Sequence, residues 1–143
     1  MSEPFSVIAL FVDSDGEVLS ITRRGALDDW GIIGGKVEDS DVDAVSAIIR
    51  EVREETGVEI AREDLVHIYS RQDGSKDDDT KVCLCFFVKR YRNSPRAMGN
   101  GFKVRWVPFE NLLDEKNTFH GYNRGLYMYI QENPLPGPSV RVP

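Results

Sequence analysis

Long apolar runs, a cysteine framework and surplus basic charge are all missing from this chain, and each absence removes a class of function. No apolar stretch approaches the ~20 residues a helix needs to cross a bilayer, so no membrane span is expected. The start, Met1-Ser2-Glu3-Pro4, has no basic segment leading into an apolar one, so a secretory leader is not expected. Only two cysteines occur in 143 residues. They alternate within Val82-Cys83-Leu84-Cys85-Phe86-Phe87-Val88, which puts both on one face of a strand and suits core packing. His67 and His120 are the only histidines and offer no zinc-ligand spacing, so a zinc centre is not expected. Reduced thiols fit a cytoplasmic setting. Asp and Glu number 24 against 18 Lys and Arg, a formal charge of −6. That balance argues against binding a nucleic-acid polymer through its backbone. It permits a small phosphate ligand held through a metal ion, which brings its own positive charge. The local exception, Lys89, Arg90, Arg92 and Arg96, reads as a solvated strand end and loop.

What is present is a succession of short β-type segments around one clear helix. Residues 5–12 read as a buried strand. Asp15-Gly16 reads as a turn, and 18–24 as a second strand hairpin-paired with the first. The Gly- and Asp-rich stretch 25–42 reads as loop, with a short strand at 30–33. The spacing predicts a helix over 44–56, capped by Asp43 and stopped by Gly57. Strands follow at 65–71 and 80–91, joined by a polar hairpin loop at 72–79. After a loop at 93–101 come a strand at 103–107 containing Trp106 and one or two helical turns at 109–114. A last helix runs from a Thr118 cap to about residue 132. No repeat or linker divides the chain, so residues 1–133 read as one domain. Prolines at 134, 136, 138 and 143 make 134–143 an irregular tail.

The informative segment is Arg50-Glu51-Val52-Arg53-Glu54-Glu55-Thr56-Gly57-Val58. Glu51, Glu54 and Glu55 stand at i, i+3 and i+4, so their carboxylates share one helix face. Val45, Ile49 and Val52 fall on another side and anchor the helix to a sheet. Like charges so placed repel, and a hard divalent cation such as Mg²⁺ or Mn²⁺ relieves them through oxygen ligands. Taken alone, the helix also reads as a charged face in solvent. Upstream lies Trp30-Gly31-Ile32-Ile33-Gly34-Gly35-Lys36-Val37-Glu38, whose paired glycines allow close approach of backbone to a ligand.

Together these segments resemble the Nudix signature, G-x5-E-x7-R-E-U-x-E-E-x-G-U, where U is a bulky aliphatic residue. Residues 50–58 match its second half at every fixed position, Gly35 matches its opening glycine, and Trp30 with Gly34-Gly35 resembles the usual lead-in. The resemblance implies an α+β fold, a Nudix-type α/β/α sandwich with a mixed β-sheet. It implies a Mg²⁺- or Mn²⁺-dependent hydrolase that cuts a diphosphate linkage in a small-molecule nucleotide. The small build resembles members that convert a nucleoside triphosphate to the monophosphate and pyrophosphate. Hydrolysis of ADP-ribose, sugar nucleotides or dinucleoside polyphosphates, and a non-catalytic nucleotide sensor, stay as alternatives. Either a monomer or a homodimer is compatible with the sequence. By the resemblance, Glu54 and Glu55 bind metal with the Gly34 carbonyl, and Glu51 binds a second ion or activates water. Arg50 orients the carboxylates. Arg23 and Arg24 are candidate phosphate contacts, and Trp30 and Lys36 candidate substrate contacts. Phe119, Tyr122 and Asn123 are candidate base contacts, although Asn123 taken alone reads as an exposed helix residue.

The sequence departs from the signature in three places. Counting six from Gly35 lands on Asp41, but counting back from Arg50 lands on Val42, so the loop is one residue longer. We expect Asp41 to brace Arg50 in place of the family glutamate, and Asp43 to cap the helix. Ile33 stands where many members have proline. The loop 95–103, which carries a further glutamate in many members, has no acidic residue.

Overall fold

The structure is a computed structural model that describes residues 4–23, 25–72, 81–117 and 119–143. The expectations for the first three residues, for Arg24, for loop residues 73–79 and for the Thr118 cap lie outside the described residues. In chain order the elements are β1 (Pro4–Leu10), β2 (Glu17–Arg23), β3 (Ala26–Lys36), α1 (Ala44–Thr56), β4 (Leu65–Gln72), β5 (Val82–Val88), β6 (Arg90–Tyr91), β7 (Val104–Pro108), α2 (His120–Glu132) and β8 (Val140–Arg141). A short 3-10 turn at Phe109–Leu112 follows β7.

Six strands form one mixed sheet in the order β4-β5-β1-β3-β2-β7. The β1–β5 pair is parallel and its neighbours are antiparallel. Alternation along the strands buries both faces. Val7, Ala9, Phe11 and Ile33 pack with Ala47, Ile48 and Val52 of α1. Leu10, Ile32, Cys83 and Cys85 pack with Tyr122 and Leu126 of α2. The two cysteines therefore share a face, as their alternation predicts. Ala47 and Ile48, rather than Ile49, are the fully buried anchors beside Val52. The sandwich of helix, mixed sheet and helix is the fold implied by the signature. Among the described residues no helix is long and apolar enough to cross a membrane.

Three local expectations are corrected. First, β1 and β2 are not hairpin partners along their length. Asp13 Oδ1 accepts from the Asp15 and Glu17 amides and closes the turn, and the bridge Val12↔Val18 holds its base. Beyond that the strands part, and β3 fills the gap between them. Second, β3 is an 11-residue strand, not a loop with a short strand. Its glycines suggest a loop in isolation. Here Trp30 and Ile32 pair with β2, while Gly34 is pressed against β1, where a Cβ would come within 2.1 Å of the Val7 carbonyl oxygen. Third, the proline-rich tail is tied down. Ser139 N–H donates to the Val12 carbonyl at 2.6 Å and its Oγ accepts from Val12 N–H at 3.1 Å. Residues 140–141 then pair in parallel with β6. Prolines exclude a helix, but the extended chain they favour is what strand pairing needs.

Candidate active site

Helix α1 has both ends fixed. Asp43 accepts from Ser46 N–H at its N-cap, and Gly57 takes the left-handed conformation, φ 74°, at its C-cap, where a side chain is disfavoured. Asp43 also receives the Arg62 guanidinium at 2.7 Å, a second hold the sequence does not reveal. With its register set in this way, the helix presents the three glutamates beside the end of β3.

Arg50 is the hub of that end. Its Nε and Nη2 donate to the two oxygens of Asp41, each at 2.9 Å. Its Nη1 reaches Glu51 at 3.0 Å and Glu54 at 3.2 Å, and Nη2 also meets the Lys36 carbonyl at 3.2 Å. The extra loop residue is accommodated by swinging Val42 outward, 91% exposed, while the Asp41 side chain turns in and is 5% exposed. Asp41 also accepts from Glu38 N–H at 2.8 Å. The bidentate pair is the strong form of a charged hydrogen bond. The Arg50 hydrogen bond and the Glu38 amide hold the Asp41 carboxyl below its usual range. The expected division, Asp41 on Arg50 and Asp43 on the cap, is the observed one.

The paired glycines have separate jobs. A Cβ on Gly35 would lie 2.5 Å from the Glu51 carboxyl carbon, so only glycine leaves room for that carboxylate. Gly34 N–H donates to Glu55 Oε1 at 3.1 Å. A strand residue points its N–H and C=O the same way, so the Gly34 carbonyl is directed to the same edge. Burial pushes the Glu55 carboxyl up to about 8, with Glu51 and Glu54 adding repulsion. Burial also raises Glu51, against the pull of Arg50. A half-exposed Glu54, two desolvated carboxylates and a backbone carbonyl make an oxygen-rich set with excess negative charge. That set fits a hard divalent cation.

One cavity of about 500 Å³ runs from this cluster to the start of α2. Its lining includes Gly34, Glu54 and Glu55 together with Arg23, Trp30, Phe119, Tyr122 and Asn123. Arg50 and Glu51 are not part of the lining. Lys36 is also outside it, with its Nζ 5.2 Å from the centre of the Phe5 ring. Asn123 is 2% exposed, not the exposed helix residue its sequence setting suggests. Trp30 packs against the core and also lines the cavity. Sequence reasoning missed Asn117, Met98 and Phe102, all of which line it. Met98 and Phe102 lie in the loop without acidic residues, which is held on the end of α1 by Arg96 N–H to the Thr56 carbonyl at 3.1 Å. Nothing local in the sequence marks them.

Comparison with known proteins agrees with this architecture. The sequence model of the NUDIX domain matches residues 3–127. No match is found among curated proteins. Among solved structures, the MutT protein from Methanosarcina mazei Go1 superposes with TM-score 0.68 at 22% identity, covering 94% of this chain and 99% of that one. The Nudix domain of Shewanella oneidensis NrtR, complexed with ADP ribose, gives TM-score 0.68 at 16% identity, covering 94% and 90%. A bifunctional NMN adenylyltransferase/ADP ribose pyrophosphatase from Francisella tularensis, complexed with AMP and a Mn ion, gives 0.62 at 21%, covering 93% of this chain and 42% of that one. At these identities the structures speak for the fold, while the sequence match covers most of the chain. That match, over a sheet and two helices arranged in this way, places the chain in the Nudix family.

Proposed function

We propose that this chain hydrolyses a diphosphate linkage in a nucleotide, converting a nucleoside triphosphate to the monophosphate and pyrophosphate with Mg²⁺ or Mn²⁺. The observation that carries the reading is continuity. The carboxylate cluster and the apolar, amide-bearing chamber open into one cavity, so phosphates and base have places on a single path.

Glu54, Glu55 and the Gly34 carbonyl would hold the ion, with Glu51 a further candidate. A divalent ion there supplies positive charge against the anionic diphosphate and lowers the pKa of bound water. The chain's own groups supply position. Arg50 holds Glu51 and Glu54 through one nitrogen, and Asp41 holds Arg50, so a single bidentate pair sets two carboxylates. Glu51, with Oε1 engaged by Arg50, is the candidate to hold a second ion or to activate water. Its raised proton affinity suits a general base. Arg23, which lines the cavity, is a candidate phosphate contact. Trp30 and Phe119 offer faces for a base, and Lys36, outside the cavity lining, is a more remote candidate for phosphate contact.

A panel of nucleotides assayed with Mg²⁺ and with Mn²⁺ in heavy-oxygen water tests this. The expected result is pyrophosphate and a monophosphate, no turnover in chelator, and label at one phosphorus. Release of inorganic phosphate alone from a triphosphate contradicts it. The NrtR and Francisella neighbours were each seen with nucleotide ligands, which makes ADP-ribose the second substrate to include. Binding of ADP-ribose without turnover of any nucleotide favours the sensor reading.

A further inference from the structure

The last turn of α1 carries Glu54 and Glu55 and ends in backbone carbonyls that a helix cannot satisfy by itself. The chain after β6 satisfies three carbonyls there in succession. Met98 N–H donates to the Glu55 carbonyl at 3.3 Å and Arg96 N–H to the Thr56 carbonyl at 3.1 Å. Asn93 Nδ2 donates to the Gly57 carbonyl at 3.2 Å. One step further out, Glu59 and Arg92 exchange both backbone hydrogen bonds, at 3.1 and 2.9 Å. Residue numbers rise along one segment as they fall along the other, so 92–98 run antiparallel to 55–59 and close over the end of the helix.

Asn93 stands where the chain leaves its pairing with Glu59 and bends onto the helix. Its φ is 75°, the only positive value at a non-glycine among the described residues, a region open to asparagine at smaller cost than to most side chains. The other end of the run meets the cavity. Met98 lines it with Glu54 and Glu55. The Met98 Sδ lies 3.3 Å from Arg96 Nε and would be 3.2 Å from a Cβ on Gly57, so the thioether is laid over the glycine that ends the helix. Phe102 follows in the same loop and also lines the cavity. Residues 93–103 bring no carboxylate. They bring wall, and that wall hangs on the same helix turn as the glutamates.

We propose that Asn93 is a positioning residue for the substrate: it clamps residues 93–98 on the end of α1 and so sets Met98 against the cavity beside Glu55. The inference rests on the cavity being the nucleotide site. The carboxylates have their own support, since Arg50 holds Glu51 and Glu54 and Gly34 N–H holds Glu55 without the loop. Loss of the clamp therefore loosens the wall and leaves the charged cluster in place. Substrate binding weakens while the chemical step keeps its rate.

Two variants grade the clamp. Asn93→Gly accepts the left-handed backbone and loses only the amide. Asn93→Ala loses the amide and is strained at that φ as well. Amide hydrogen exchange reads the clamp directly, with neither nucleotide nor metal present. The Arg96 and Met98 amides should exchange about 3-fold faster in Asn93→Gly and about 10-fold faster in Asn93→Ala, with the Ile48 and Val52 amides unchanged. Steady-state kinetics with nucleoside triphosphates and Mg²⁺ reads the consequence. KM should rise in the same order, by about 3-fold and about 10-fold, with kcat within about 2-fold of wild type. Met98→Ala should raise KM by itself. Adding Asn93→Ala to it should raise KM by less than about 2-fold more, because the clamp acts through that side chain; a merely structural role gives independent losses. Unchanged exchange at Arg96 and Met98 in both variants overturns the clamp. Faster exchange with unchanged KM, a loss carried by kcat, or full additivity with Met98→Ala overturns the positioning role. If the wild type turns over no nucleotide, the hydrolase reading fails and the positioning role falls with it, while exchange still decides the clamp.

Discussion

At the α1 end of the cavity the polar side chains are charged and hang on one arginine, whereas around the start of α2 they are neutral amides held by backbone carbonyls. Arg50 alone touches Asp41, Glu51 and Glu54. Asn117 and Asn123 instead anchor to Trp30 and Leu112. The first construction concentrates negative charge that a cation relieves, so its geometry answers to ions and pH. The second carries direction more than charge. Chemistry and recognition are thereby separable along one cavity, and variants at one end should leave the other intact.

The largest expected effect is at the carboxylates. Glu54→Gln or Glu55→Gln should cut turnover by at least about 10²-fold while melting temperature and monophosphate binding stay near wild type. Wild-type rates in both would break the division of labour. Next is Asp41→Ala. Removing the brace from Arg50 should weaken metal affinity about 10-fold or more, read by titration with Mn²⁺, whereas Asn117→Ser should leave that affinity alone. A smaller effect is expected at Asp43, which caps α1 without touching the glutamates. Asp43→Ala should lower the melting temperature by a few degrees and spare turnover per folded molecule. The smallest is a pH trend in metal-free protein. Glu55 is raised to about 8 from an ordinary 4.5, so its contribution to stability is fully present below pH 4.5 and is lost as pH rises toward 8. Melting temperature should therefore fall from pH 5 to pH 9 more steeply in wild type than in Glu55→Gln; parallel curves would place the buried charge elsewhere.

How much of this was legible in the sequence follows from how local each feature is. Helix α1 and its caps are written within thirteen residues and a neighbour on each side, and they appear where the spacing puts them. Asp41 was reachable by counting, because the insertion leaves one acidic side chain within reach of Arg50. Strand β3 was not, since Gly34 and Gly35 suggest a loop until Val7 and Glu51 are seen against them. The tail strand depends on Val12, Lys89 and Tyr91, none of which the tail's own prolines reveal. Asn117 depends on Trp30, 87 residues away in the chain. Arg62 on Asp43 is likewise a contact between separate segments. Residues that act through partners distant in sequence leave no periodicity or spacing to read.

The central claim, that Glu54 and Glu55 form the divalent-cation end of a nucleotide cavity, is tested most directly by Mn²⁺ binding followed by electron paramagnetic resonance. Wild type and a Glu54→Gln, Glu55→Gln double variant would be titrated with a nucleoside monophosphate present. The account predicts saturable Mn²⁺ binding by the wild type. It predicts at least about 10-fold weaker binding by the double variant, with its fold and monophosphate affinity retained. Equal Mn²⁺ affinity in the two proteins would contradict it.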